Sequence, residues 1–119
     1  MASHNELGKK GEEMAVAFLI AHGYVIRSRN FRFEKAEVDI LAEKEGILAV
    51  IEVKTRSTID FGNPQEFVKP KQIKNLVKVV DAYVNELDLH LEVRFDIIAI
   101  VKEGNAYNIE HLKDAFYHF

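Results

Sequence analysis

The stretch from Ile47 to Thr55 constrains this chain more than any other. Ile47-Leu48-Ala49-Val50-Ile51 is continuously apolar, and Glu52-Val53-Lys54-Thr55 then sets two opposite charges at its end. A near-continuous apolar run of strand length is a strand covered on both faces. The chain must therefore supply layers on either side of a sheet. Residues two apart on a strand share a face, roughly 6.6 Å apart along it, so Glu52 and Lys54 point the same way. Charged groups at the end of a buried strand need either each other or a function. An ion pair at an exposed strand end is the simpler of the two readings.

The rest of the chain reads as the layers that such a strand requires. Asn5 to Ala21 is helical in pattern, with Leu7, Met14, Phe18 and Ala21 as its apolar positions and Gly23 where a helix stops. Gly8 and Gly11 weaken its first turns, which points to close approach of another backbone or a ligand. Tyr24–Arg29 and Glu37–Ala42 read as strands, and Glu43-Lys44-Glu45-Gly46 as the turn before the Ile47–Thr55 strand. Residues 56–69 read as a loop punctuated by Gly62-Asn63-Pro64. Pro70 suits the first turn of a helix running to about Leu87, which buries Ile73, Leu76, Val77, Val80 and Tyr83. Phe95–Val101 and Ala106–Ile109 are two further strands around a turn at Lys102-Glu103-Gly104-Asn105, and His111–Phe119 is expected to form a final helical turn. The order αβββαββ predicts an α/β fold, a mixed β-sheet flanked by helices. With 119 residues, no internal repeat and no Pro/Gly/Ser linker, residues 1–119 are expected to form a single domain.

Composition removes several classes of function. Without cysteine there is no disulfide framework, no zinc-thiolate site and no thiol nucleophile. No stretch approaches the ~18 consecutive apolar residues of a membrane span. Lys9, Lys10, Glu12 and Glu13 fall where a secretory signal would need its apolar stretch. The expectation is a soluble cytoplasmic protein with no membrane partner. The net charge of −3 is unevenly spread: residues 1–80 hold 13 Lys/Arg against 11 Asp/Glu, and residues 81–119 hold 3 against 8. Clustering matters more than the total for recognising a polyanion. Nucleic acid therefore stays open as a partner.

Two acids precede the apolar strand. Glu37-Val38-Asp39-Ile40 is expected to set both acids on one face of its strand, with Val38 and Ile40 on the other. Thirteen residues and one tight turn separate Asp39 from Glu52, so the two strands should be antiparallel neighbours with Asp39 and Glu52 meeting near one end. Two carboxylates brought together repel unless a proton or a cation sits between them. Hard oxygen ligands on adjacent strands suit Mg²⁺. Glu12, on the glycine-softened helix, is by itself a surface acid and gains interest only from this company.

Lys71, Lys74 and Lys78 fall at i, i+3 and i+7 on one face of the second helix. They form either a solvated outer face or, with Arg56 and Lys69, a surface that tracks nucleic-acid phosphates. Arg94 and Asp96 bracket Phe95 and read as a structural ion pair or buttress. The histidines (His4, His22, His90, His111, His118) have no metal-ligand spacing, and no phosphate-loop, dinucleotide or nucleophile-elbow motif is present. Phe116-Tyr117-His118-Phe119 reads as core or interface.

Asp39 followed by Glu52-Val53-Lys54 resembles the D…(D/E)-x-K pattern of the restriction-endonuclease-like nucleases. The chain as a whole resembles the YraN family of predicted endonucleases, which are similar to archaeal Holliday-junction resolvases. The matching stretches are Gly8-Lys9-Lys10-Gly11-Glu12, Phe18-Leu19 to Gly23-Tyr24, Arg29-Asn30, Glu37-Val38-Asp39-Ile40, Val50-Ile51-Glu52-Val53-Lys54-Thr55-Arg56, Phe61-Gly62, Lys71 and Arg94-Phe95-Asp96. Val38 stands where the motif's name has proline, and Ala36 where the family commonly has glycine; neither is a ligand position. The resemblance implies a restriction-endonuclease-like fold and a Mg²⁺- or Mn²⁺-dependent deoxyribonuclease, with branched DNA as an expected substrate. It implies that Asp39, Glu52 and the Val53 carbonyl ligate the metal, that Lys54 orients or deprotonates the attacking water, and that Glu12 holds a second metal or its water shell. It also implies a homodimer as one use of the C-terminal aromatic segment. The competing readings are a nucleic-acid-binding module without cleavage and a structural or protein-interaction domain on the same fold.

Overall fold

In the computed structural model of the chain, residues 4–34, 36–57, 70–87 and 89–115 are described. The elements are α1 (His4–Ala21), β1 (Val25–Phe33), β2 (Ala36–Lys44), β3 (Ile47–Arg56), α2 (Pro70–Glu86), β4 (Glu92–Glu103) and β5 (Ala106–Leu112). They form one five-stranded sheet in the order β1-β2-β3-β4-β5. The first three strands are an antiparallel meander, β3 and β4 run parallel, and β5 returns antiparallel to β4. The parallel step carries α2 as its crossover, as parallel neighbours require. This is the expected mixed α/β sheet in the expected order.

One helix covers each face. Leu76, Val79, Val80 and Tyr83 of α2 pack on Val38, Leu48, Val50, Phe95 and Ile97. Ala15 and Leu19 of α1 pack on Ile40, Ala49, Ile51, Ile98 and Ile100. Leu48, Ala49, Val50 and Ile51 are all fully buried, alternating between the two layers. The apolar run in β3 is thus explained by its two covered faces.

Several details differ from the sequence reading. The line that α1 buries is Gly11, Ala15 and Leu19, spaced by four, whereas Met14 and Phe18 flank it and Ala21 is exposed. Small residues at Gly11 and Ala15 let α1 approach the sheet closely, and bulk alone misplaced the stripe. A Cβ at Gly11 would overlap the Thr55 hydroxyl and lie 3.0 Å from Thr55 Cβ, so the close approach expected at that glycine is to β3. His111 and Leu112 belong to β5 and not to a terminal helix; a turn at residues 113–114 follows. The cause is Asp96, which holds His111 and the Asp114 N–H from the neighbouring strand. The loop expected over 56–69 lies outside the described residues beyond Ser57, as does the aromatic segment Phe116–Phe119. No helix among the described residues is long and apolar enough to cross a membrane.

Candidate active site

The strand β2 keeps its alternation everywhere except at Asp39. Val38 packs in the α2-side layer, yet Ile40, two residues on, packs in the α1-side layer. The expectation that both would share the face opposite the acids is therefore wrong: their packing divides them between the two layers, although β1 pairs through Arg29↔Ile40 and Phe31↔Val38 without a register shift. Backbone pairing of β2 with β3 runs from Lys44↔Ile47 to Ile40↔Ile51 and goes no further. Beyond it the strands are joined by a side chain, because Asp39 Oδ2 accepts the Val53 N–H at 2.8 Å. Asp39 thereby takes the place of a ladder bond at the point where the two strands part. The antiparallel neighbours and the meeting of Asp39 with the Glu52 end of β3 stand as expected.

Glu52 projects toward the α2 layer and is 5% exposed. Its Oε2 accepts a hydrogen bond from Gln72 Nε2 at 3.1 Å. Its Oε1 is buried without a hydrogen-bond partner among the described residues. Burial pushes the Glu52 carboxyl up to about 8; the nearby Asp39 charge adds to the rise, and Lys54 and the Asp39 backbone N–H oppose it. Burial likewise raises Asp39 to about 6, against the pull of the Val53 N–H, with Glu12 adding to the rise and Lys54 again opposing it. Two adjacent carboxyls thus resist ionisation, and an added cation would relieve both.

A cleft of about 270 Å³ opens beside them, lined by Leu7, Gly8, Glu12, Asp39, Val53, Lys54, Thr55 and Arg56. Gly8 has open space where a Cβ would be, so it contributes backbone to the wall without narrowing the mouth. Five of the residues singled out from sequence (Glu12, Asp39, Val53, Lys54 and Arg56) meet in this one cleft, whereas Glu52 is not part of its wall and meets Gln72 of α2. Glu12 is turned toward β1, where its Oε1 accepts from Asn30 Nδ2 at 3.0 Å and lies 3.7 Å from Arg29 Nη2. Asn30 holds the left-handed backbone conformation, with φ of 53°. Among the described residues no group of three or more His, Asp or Glu side chains converges on one point. Glu12 and Asp39 share the cleft wall and Glu12 acts on the Asp39 charge, whereas Glu52 faces the α2 layer.

The lysine helix lies elsewhere. Lys74 and Lys78 are exposed on α2, and no α2 residue lines the cleft among the described residues. Lys69 and the Lys71 side chain lie outside the described residues. The Arg94–Asp96 pair is a structural ion pair, as read: Arg94 Nη2 lies 2.8 Å from Asp96 Oδ2 and donates to Tyr24 Oη at 2.7 Å. Sequence reasoning missed Gln72, and it named Asn30 only within a matching stretch, without a role. Gln72 had a legible signal, since it heads the apolar line Gln72, Leu76, Val79, Tyr83 as its one polar member.

A mixed sheet in the order αβββαββ, with helices on both faces and two acids where β2 and β3 part, defines a restriction-endonuclease-like α/β protein. Within that class the chain belongs to the family described as Uncharacterised protein family UPF0102, whose profile matches residues 11–100. It is 60% identical to a UPF0102 protein of Flavobacterium psychrophilum over the whole of both chains. It is equally close to one of Christiangramia forsetii over the same span. A UPF0102 protein of Parabacteroides distasonis is 42% identical over 98% of this chain and 97% of its own.

Proposed function

We propose that this chain is a metal-dependent endonuclease that hydrolyses DNA phosphodiester bonds, with branched DNA as its substrate class. One observation carries the reading: a buried Glu52 oxygen without a partner among the described residues, beside the half-buried Asp39 carboxylate that lines an open cleft. A buried, unpaired polar atom is costly, and such atoms mark missing ligands. The donor set is all hard oxygen, which suits Mg²⁺ or Mn²⁺. Asp39, Glu52 and the Val53 carbonyl would hold the ion, which supplies Lewis acidity for the scissile phosphate and its nucleophilic water. Lys54 orients that water and steadies charge that grows on the phosphate oxygens. Arg56, on the same wall, meets an adjacent phosphate. Glu12, held by Asn30, serves a second ion or a water shell at the far side of the cleft.

The bond that Glu12 already accepts from Asn30 favours one tightly held ion over two. It also supports a second reading, a module that binds nucleic acid without cutting it. Incubation with labelled junctions, flaps, nicked and linear duplexes in Mg²⁺ or Mn²⁺, beside Asp39→Asn, separates the two. The endonuclease reading expects metal-dependent products from the wild type and none from the variant. Binding without products from any substrate in the panel would establish the module instead.

A further inference from the structure

Gln72 joins α2 to the candidate centre. It lies one helical turn before Leu76, on the face that α2 buries against the sheet, and it is itself half-buried. Its Nε2 donates to Glu52 Oε2 at 3.1 Å, while Oε1 of the same carboxylate has no partner among the described residues. The two oxygens of Glu52 are therefore unequal, and Gln72 makes them so.

The residue type matters as much as the contact. A lysine or arginine here would neutralise Glu52 and compete with any incoming cation. An aliphatic residue would leave both oxygens equally free. A neutral amide fixes the carboxylate's orientation and engages one oxygen, yet leaves the negative charge for a ligand. A carboxylate offering one oxygen suits a small ion with strict octahedral demands. Ca²⁺, by contrast, takes six to eight oxygens and readily accepts both oxygens of one carboxylate.

We infer that Gln72 is a positioning residue that sets cation selectivity, holding Glu52 to a single available oxygen and so favouring Mg²⁺ or Mn²⁺ over Ca²⁺. This rests on the metal reading above and assigns its specificity to a residue that touches no ion. The selectivity ratio is the decisive readout, because a merely structural contact would weaken all cations alike.

The test is titration of the full-length metal-free protein with Mn²⁺ followed by electron paramagnetic resonance, then competition with Ca²⁺, for wild type, Gln72→Leu and Gln72→Ala. Circular dichroism melts identify which variants fold, and the alanine variant decides if the leucine does not fit. The expected result is a wild-type preference for Mn²⁺ that shrinks about tenfold or more in the variants, the scale typical for loss of a group supporting a metal ligand. An unchanged Mn²⁺/Ca²⁺ ratio, with both affinities intact or equally weakened, overturns the assignment to Gln72. Mn²⁺ binding that is absent in wild type, or identical in Glu52→Gln, overturns the metal reading itself and the selectivity with it.

Discussion

Two buried acids lie on adjacent strands of this sheet and are treated in opposite ways. Asp96 on β4 is fully buried, and both its oxygens are claimed. Oδ1 accepts from Arg94 Nε at 2.9 Å and the Asp114 N–H at 3.0 Å, and Oδ2 lies 2.8 Å from both Arg94 Nη2 and His111 Nε2. Burial opposes its ionisation, but the hydrogen bonds from His111, Arg94 and Asp114 outweigh it and hold the carboxyl below the usual range. Glu52 on β3 is nearly as buried, yet one oxygen has a neutral donor and the other has no hydrogen-bond partner among the described residues. Its carboxyl is pushed up. Burial alone does not tell a strut from a ligand; the count of satisfied lone pairs does.

The largest effect expected from this contrast is on chemistry. Asp39→Asn, Glu52→Gln and Lys54→Ala should each lower cleavage by more than ~10³-fold, and double variants should be little worse, because such residues act as one unit. Glu12→Gln should reduce cleavage by less. Single-turnover rates on a cut substrate measure all four. Asp96→Ala belongs to the other side of the comparison. It strands Arg94, whose side chain is 19% exposed, and breaking a buried pair by removing one partner costs ~3–5 kcal/mol. Urea denaturation of the metal-free protein should show that loss. Glu52→Gln should match or exceed wild-type stability in the same assay. Equal destabilisation by both variants would erase the distinction between strut and ligand.

Metal and pH sharpen the comparison further. Mg²⁺ at 100 times its dissociation constant should add ~2.7 kcal/mol to stability. Asp39→Asn should remove most of that gain, which melts with and without metal would reveal. Without metal, the raised Asp39 and Glu52 carboxyls bind protons in the folded state that the unfolded chain has already released. Their contribution is full below the unfolded values of 3.8 and 4.5 and is lost as pH rises through about 6 and about 8. Asp96 has the opposite sign: its contribution is present above 3.8 and fades as pH falls through its lowered value. Between pH 5 and 8, stability of the metal-free protein should therefore fall, and Glu52→Gln should flatten that slope.

Much of this was written in local pattern. The β3 run announced a strand covered on both faces, and the Asp39-to-Glu52 spacing announced its antiparallel neighbour. The slip of alternation at Asp39 was not legible, because strict period two is what places Val38 and Ile40 together. It coincides with a long-range bond, in which Asp39 accepts the Val53 N–H. Gly11 and Ala15 hid the true contact line of α1 because close approach selects small residues, whereas a hydrophobic pattern selects large ones. His111 could not be assigned from its own surroundings, since its partner Asp96 is fifteen residues earlier on another strand. Gln72 was visible as a polar residue heading an apolar line, but its meaning depended on which carboxylate stood opposite.

The smallest expected effect concerns the lysines of α2, of which Lys74 and Lys78 do not line the cleft. Lys74 and Lys78 are exposed on the helix that covers the Glu52 side of the sheet, whereas Arg56 lines the cleft itself. A branched duplex wide enough to reach both would place phosphates along α2 while one strand enters the cleft. Each lysine that meets a phosphate displaces condensed counterions, so its loss should flatten the slope of log affinity against log salt by roughly 0.9 on duplex DNA or roughly 0.7 on a single strand. Binding should weaken on every sequence alike, because phosphate contacts carry no base information. Folding should stay within about 0.5 kcal/mol, as for most surface substitutions. The Asp39→Asn background keeps cleavage from distorting the curves. Arg56→Gln should change the slope on single strands as well as duplexes, whereas Lys71→Gln/Lys74→Gln/Lys78→Gln should act mainly on duplex and branched DNA. A triple variant with unchanged affinity and unchanged slope on both would make α2 a solvated outer face and confine nucleic-acid contact to the cleft side of the sheet.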